Sequence, residues 1–140
     1  MKNFFKLVVI LISIAILYGV LMFGLSELGG EVATLVRPEA DGSNKNIRVW
    51  IVDVDNKSWI EHGDKESVWI QGLIDDSGIL IIREGEEQKY LAFADSDSHD
   101  VYHKLRREKY GLADKMLDIL SFGATSKESC EGIPVRLEKI

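Results

Sequence analysis

His99 and His103 stand four residues apart, the spacing at which two imidazoles on successive turns of a helix can share one zinc ion. Asp95, Asp97 and Asp100 crowd the same stretch. A metalloprotease helix carries Glu directly after its first His, whereas Asp100 and Val101 follow His99 here. The run from Asp95 also opens like a calcium loop. It lacks the Gly of the sixth position, and Arg106 stands where the twelfth-position acid belongs. Two imidazoles on a solvated helix face are the plainer reading, and on that reading the chain holds no metal.

Other reactive types are sparse. Lys104, Arg106, Arg107 and Lys109 alternate with Tyr102 and Tyr110. Such a cluster could grip a phosphate, or it could be the wet face of an amphipathic helix. The one thiol, Cys130, lies between Glu128 and Glu131 with Lys127 as its nearest cation. Its thiolate is not favoured there, and the residue reads as structural. His62 could supply a proton or simply line a rim. The sequence has no nucleophile elbow, no Walker loop and no dinucleotide fingerprint.

Trp50, Trp59 and Trp69 fall within one short stretch, flanked by Lys45, Arg48 and Lys65. Indole faces beside cations suit a flat heteroaromatic ring with a phosphate tail. They equally suit ordinary packing in a small β domain.

Strands and turns must place these groups. Val32–Val36 is β-prone and ends before Pro38. Residues 41–46 form a polar loop. Ile47–Asp53 alternates as a strand does, Asp55-Asn56 makes a turn, and Ser58–His62 returns as a hairpin. Ser67 is placed to cap a short helix over 68–73. A second hairpin joins Ile79–Arg83 to Gln88–Ala94 through Glu84-Gly85-Glu86. Helical spacing runs from Asp97 to Tyr110, Gly111 ends that helix, and Leu112–Leu120 forms another. Ile133–Glu138 is a last strand, with Pro134 suited to an edge or a strand start. The fold expected is α+β, mainly β: a small antiparallel barrel closed by the C-terminus, with two helices in the C-terminal half.

These residues also carry a family resemblance. Arg48–Asp53, Trp59–Gly63 and Glu66–Leu73 resemble the split β-barrel proteins of the nitroreductase-like, deazaflavin-dependent oxidoreductase family. Arg107–Asp114 and Ile133–Leu137 are similar to a helix segment and terminal strand of related small reductases. The resemblance spans about residues 42–138. It implies a split barrel that binds FMN or a deazaflavin and reduces a small acceptor such as a quinone, in a family whose members often form homodimers. Of that family's basic phosphate loop only Gly42, Lys45 and Arg48 remain here. The implied cofactor site is Lys45 and Arg48 as an anion clamp, Trp50 and Trp69 as a stacking wall, and Ser67 as an orienting hydroxyl. The eroded loop also fits a second reading, a non-catalytic tethered barrel that binds a ligand or a protein and has lost its cofactor.

One segment limits where any of this happens. Leu7 to Leu25 is a run of 19 residues without a charge. As a helix it is roughly 28 Å long, close to the ~30 Å of a bilayer's hydrocarbon. It is longer than the apolar core of a secretory signal, and no Ala-x-Ala site follows it, which favours retention over cleavage. Residues 1–30 therefore read as a membrane anchor and 31–140 as the barrel domain. Lys2 and Lys6 precede the span, which predicts a cytoplasmic N-terminus and a barrel on the far side. Beyond residue 30 the chain is more acidic than its overall −6, so a nucleic-acid partner is not expected.

Overall fold

Alternating apolar residues make β2 two-faced: Val49 and Ile51 turn inward, while Arg48 and Trp50 turn outward. The computed structural model describes residues 2–39, 41–73 and 77–140; the side chain of His62 lies outside the described residues. A long helix, α1 (Lys2–Leu28), leads into β1 (Val32–Pro38), β2 (Asn44–Val54) and β3 (Lys57–Asp64). A one-turn helix α2 (Val68–Gln71) precedes the hairpin of β4 (Ser77–Arg83) and β5 (Glu86–Ala94). A 3₁₀ turn (Ser96–Ser98) opens α3 (His99–Leu120), and β6 (Gly132–Lys139) ends the chain.

The six strands close into an antiparallel barrel in the order β1-β2-β3-β6-β5-β4, with β1 paired to β4. Closure leaves no exposed strand edge, which suits strands rich in Ile and Val. The expected α+β barrel with an apolar N-terminal helix is the architecture found. Inside, Ala33, Leu35, Ile51, Ile60, Ile81, Ala92, Val135 and Leu137 are fully buried. Trp69, Ile70 and Leu73 from α2 and its exit join this core.

Both hairpins turn where expected. Asp55 and Asn56 both have positive φ, 48° and 66°, the pair of left-handed residues that a two-residue turn between twisted strands needs. β2 begins at Asn44, three residues earlier than its apolar alternation shows, because Asn44–Asn46 pair with Val36–Pro38. Ser67 does not cap α2 through its side chain; its hydroxyl donates to the Asp64 carbonyl at 2.7 Å.

One expectation holds and one changes at the C-terminal half. α3 is broken at Gly111 (φ 48°, ψ −108°), whose backbone is not helical, so two helical stretches meet there as expected. β6 is no edge strand, since it pairs with β3 on one side and β5 on the other. Pro134 is tolerated there because it faces Glu61, next to the shift of register between Glu61 and Asp64, where the ladder is already interrupted.

α3 covers the outer face of β2 and β3. Val52 and Trp59 from the wall pack on Tyr102 and Tyr110 from the helix, with Trp50 and Leu105 at the margin. α1 is the one described helix long and apolar enough to cross a membrane, and its apolar side chains stay exposed: Phe4, Leu17 and Phe23 are each about 70 % exposed.

Candidate metal centre

The outward face of β3 carries Trp59 and Glu61, and the break in register beside Pro134 sets Glu61 against the start of α3. His99 and His103 point to it from successive turns of that helix. Their Nε2 atoms lie 3.8 and 3.4 Å from Glu61 Oε1. Cys130, two residues before β6, completes the group. One donor atom from each of Glu61, His99, His103 and Cys130 falls within 4.8 Å of the others. Barrel closure makes this possible, because pairing Glu61 with Pro134 draws the end of the 121–131 linker onto β3.

The centre is partly buried, and His103 is its most enclosed residue. The side chains of His103 and Glu61 are only 5 % and 8 % exposed. Glu61 Oε1, His99 Nε2 and His103 Nε2 are all buried and lack a hydrogen-bond partner among the described residues. Their described contacts are the two ion pairs with one another, and buried polar atoms held only that loosely leave room for a further ligand. The two imidazole–carboxylate separations also fit. Ligand bonds of 2.0–2.3 Å in a tetrahedron put donors roughly 3.3–3.8 Å apart.

Neighbours hold Glu61 in place. Arg106 Nη1 lies 3.5 Å from Oε2, which leaves Oε1 facing the imidazoles. Arg106 is itself fixed by Asp114 at 2.8 Å and by the Thr125 carbonyl at 2.6 Å. Burial pushes the Glu61 carboxyl up, but His103, Arg106 and the Cys130 thiol outweigh it, and the group stays below its ordinary range. The Cys130 thiol is pushed up by burial and by the Glu61 charge. The Gly132 N–H approaches Cys130 Sγ at 3.4 Å, a backbone donor of the kind that supports a metal-bound sulfur.

Sequence reasoning found one half of this group. The His99/His103 spacing is visible, yet the helix face expected to be solvated is packed against β3. Cys130 was expected to be structural, and Glu61 drew no notice at all. The cation run is a wet face only in part. Lys104 and Lys109 are exposed, the first beside Glu108 and the second against Glu31 and Asp53, while Arg106 is buried and half-buried Arg107 reaches Asp114 at 2.5 Å.

The five residues of the resemblance fall in three places, with Arg48 and Trp50 together, Ser67 and Trp69 together, and Lys45 apart. Arg48 contacts Glu27 and Thr34 near the end of α1. Trp50 stacks on Tyr110 (centroids 4.1 Å apart, planes 6° from parallel) and donates to the Ser26 carbonyl at 2.8 Å. Lys45 is exposed opposite Arg37, toward the other end of the β1–β2 pair. Ser67 and Trp69 sit together around Gly63, with Trp69 in the barrel core. Trp50 lies on the outer face of the wall, and Trp69 belongs to the core inside it. None of the five lines the surface groove of about 840 Å³ that runs past Asp53, Lys57, Arg83, Tyr90 and Glu138.

The described residues thus combine an apolar N-terminal helix, a closed six-stranded barrel and a partly buried Glu-His-His-Cys cluster. No protein-family model matches it, and no curated protein matches it in sequence.

Proposed function

We propose that this chain is a membrane-tethered barrel that binds one divalent transition-metal ion, zinc by preference, through Glu61, His99, His103 and Cys130. The observation that carries the reading is the convergence of four donors of three kinds from three separate parts of the chain. Two imidazoles, a thiolate and a carboxylate form a borderline-soft, four-donor set, which suits tetrahedral zinc. Four protein donors leave no open position for a substrate, so the ion acts as a clip. It joins β3, the start of α3 and the end of the 121–131 linker, and its binding energy adds to the stability of the fold. The protein is held to the bilayer by α1, with the N-terminus cytoplasmic and the barrel on the far side.

This is the non-catalytic, ligand-binding alternative with its ligand specified. The flavin or deazaflavin reading, with a quinone as acceptor, needs Trp50 and Trp69 on one ring. Trp50 already has Tyr110 on its face and Trp69 is packed among aliphatic side chains, so the geometry lends that reading no support.

The test uses the full chain in detergent micelles, stripped with a chelator and titrated with cobalt(II). One equivalent is expected to bind and to give the strong visible bands of tetrahedral cobalt, with a near-ultraviolet thiolate charge-transfer band. Cys130→Ser should remove the charge-transfer band, and His99→Ala with His103→Ala should abolish binding. Octahedral-type spectra, or binding unchanged in these variants, would sink the proposal.

A further inference from the structure

α3 does more than cover the barrel. Beyond Gly111 it runs antiparallel to the end of α1, and the two helices meet at Gly29 with Ala113 and at Tyr18 with Leu120. A Cβ on Gly29 would meet the Ala113 Cβ at 2.4 Å, and one on Gly30 would meet the Tyr110 ring at 2.5 Å, so both glycines are required by the closeness of the seam. Farther down α1, the Tyr18 hydroxyl donates to the Leu120 carbonyl at 2.6 Å. Tyr18 lies seven residues inside Leu25, the end of the uncharged run. At 1.5 Å per residue that is roughly 10 Å along the helix axis. If α1 spans the bilayer, the end of α3 descends beside it below the level of Leu25.

The residues at that end suit such a place. Ile119 is 69 % and Phe122 95 % exposed. Phe122 has φ 56°, a conformation costly for a bulky side chain, at the turn where α3 stops. Its backbone is held there by Phe122 N–H to the Ile119 carbonyl and Gly123 N–H to the Asp118 carbonyl. The charges nearby are managed: Asp118 pairs with Arg107, and Lys115, one turn nearer the barrel on the side of Ile119, has a stem long enough to reach headgroups. After the turn, Arg106 holds the Thr125 carbonyl and draws the chain back to the barrel.

We propose that the turn at residues 119–123 is a second membrane contact, with Ile119 and Phe122 inserted into the lipid bilayer beside α1. The occupant is lipid because the patch adjoins the exposed apolar surface of α1 at the Tyr18–Leu120 contact. An exposed aromatic and an aliphatic residue at the headgroup boundary are how interfacial segments bind. The contact fixes the barrel's tilt and holds the 121–131 linker, which also carries Cys130, close to the membrane surface. The proposal rests on α1 being a retained span.

The experiment reconstitutes the full chain in phosphatidylcholine vesicles with photoreactive benzoylphenylalanine in place of Phe122, Leu17 or Val68, one at a time. Leu17 is 69 % exposed on α1 and reports the anchor. Val68 is 72 % exposed beside Pro38, at the end of β1 remote from α1, and reports background. Lipid adducts at 122 and 17, at least tenfold above those at 68, are expected. Adducts at 17 but not at 122 would overturn the second contact and leave the anchor standing. Adducts at neither would overturn both. Equal adducts at 122 and 68, or a crosslink from 122 to a second copy of the chain, would also overturn it.

Discussion

Trp50 and Tyr110 stack ring on ring, and the Tyr110 hydroxyl completes a strand pairing that the backbone leaves unfinished. β1 starts at Val32 opposite Trp50, so the next residue of β2, Ile51, has passed the end of its partner. Tyr110 Oη accepts from the Ile51 N–H at 3.0 Å and donates to the Glu31 carbonyl at 2.6 Å, standing where the next rung would be. The helix, the anchor junction and the barrel wall meet at this one side chain.

Tyr110→Phe keeps the stack and removes the bridge. It leaves a buried N–H and a carbonyl without their partner, at a cost of about 1–3 kcal/mol. Urea denaturation of the full chain in micelles, followed by near-ultraviolet circular dichroism, should show that loss while the tryptophan signal of the folded state stays unchanged. Tyr110→Ala, which also removes the stack on Trp50, should cost at least twice as much.

Asp114 is 1 % exposed and lies between Arg106 at 2.8 Å and Arg107 at 2.5 Å. Removing it strands a buried guanidinium, a change that typically costs 3–5 kcal/mol. Asp114→Ala should therefore be among the most destabilising single changes in the barrel domain. It should also weaken metal binding, because Arg106 would no longer be held in place behind Glu61. Restoring the packing with Arg106→Met in the same chain should recover much of the stability and none of the affinity. Recovery of both would show that Arg106 does not orient Glu61.

The barrel could be read from the sequence because each strand alternates and each hairpin carries its turn residues, as Asp55-Asn56 does. The apolar N-terminal helix could be read because its uncharged run is long enough to cross a bilayer. The metal centre could be read only at His99 and His103, where ligand spacing follows the helix. Glu61 is an ordinary outward strand residue and Cys130 an ordinary linker residue until β6 closes against β3. That juxtaposition is a product of topology, and no local spacing records it. The tryptophan wall failed to assemble for the same reason: residues close in sequence lie on opposite sides of a barrel wall.

Asp53 sets an acid limit to the junction between barrel and helix. Burial pushes its carboxyl up, but Arg83, Ser58 and Lys109 outweigh burial and hold it at about 2 against an ordinary 3.8. The folded state therefore favours the charged form. The stability this gives is complete above pH 3.8 and is lost as pH falls to about 2. Asp53→Asn should melt at a lower temperature than the native chain at pH 6. The gap between the two melting temperatures should close across that acid window. A gap that stays constant from pH 6 to pH 2 would mean that Asp53 contributes through packing and not through its charge.

Gly132 gives the sharpest test of the metal centre, because it is not itself a ligand. A Cβ there would lie 2.8 Å from Glu61 Cγ, 3.0 Å from Glu61 Cδ and 3.2 Å from Cys130 Sγ. The methyl of Gly132→Ala must push the carboxylate and the thiol apart, while the backbone of β6 is extended enough to accept alanine. The fold should survive, with unchanged far-ultraviolet circular dichroism. Zinc affinity, measured by competition with a chromophoric chelator, should fall by about 10–100-fold, the loss usual when the support around a metal's ligands is disturbed. The 121–131 linker should loosen with it, because the ion is what ties Cys130 to β3 and α3. Hydrogen exchange across that linker should quicken when zinc is stripped from the native chain, and Gly132→Ala at limiting zinc should match the stripped protein. Native zinc affinity in Gly132→Ala would mean that Glu61 and Cys130 do not bind the ion together.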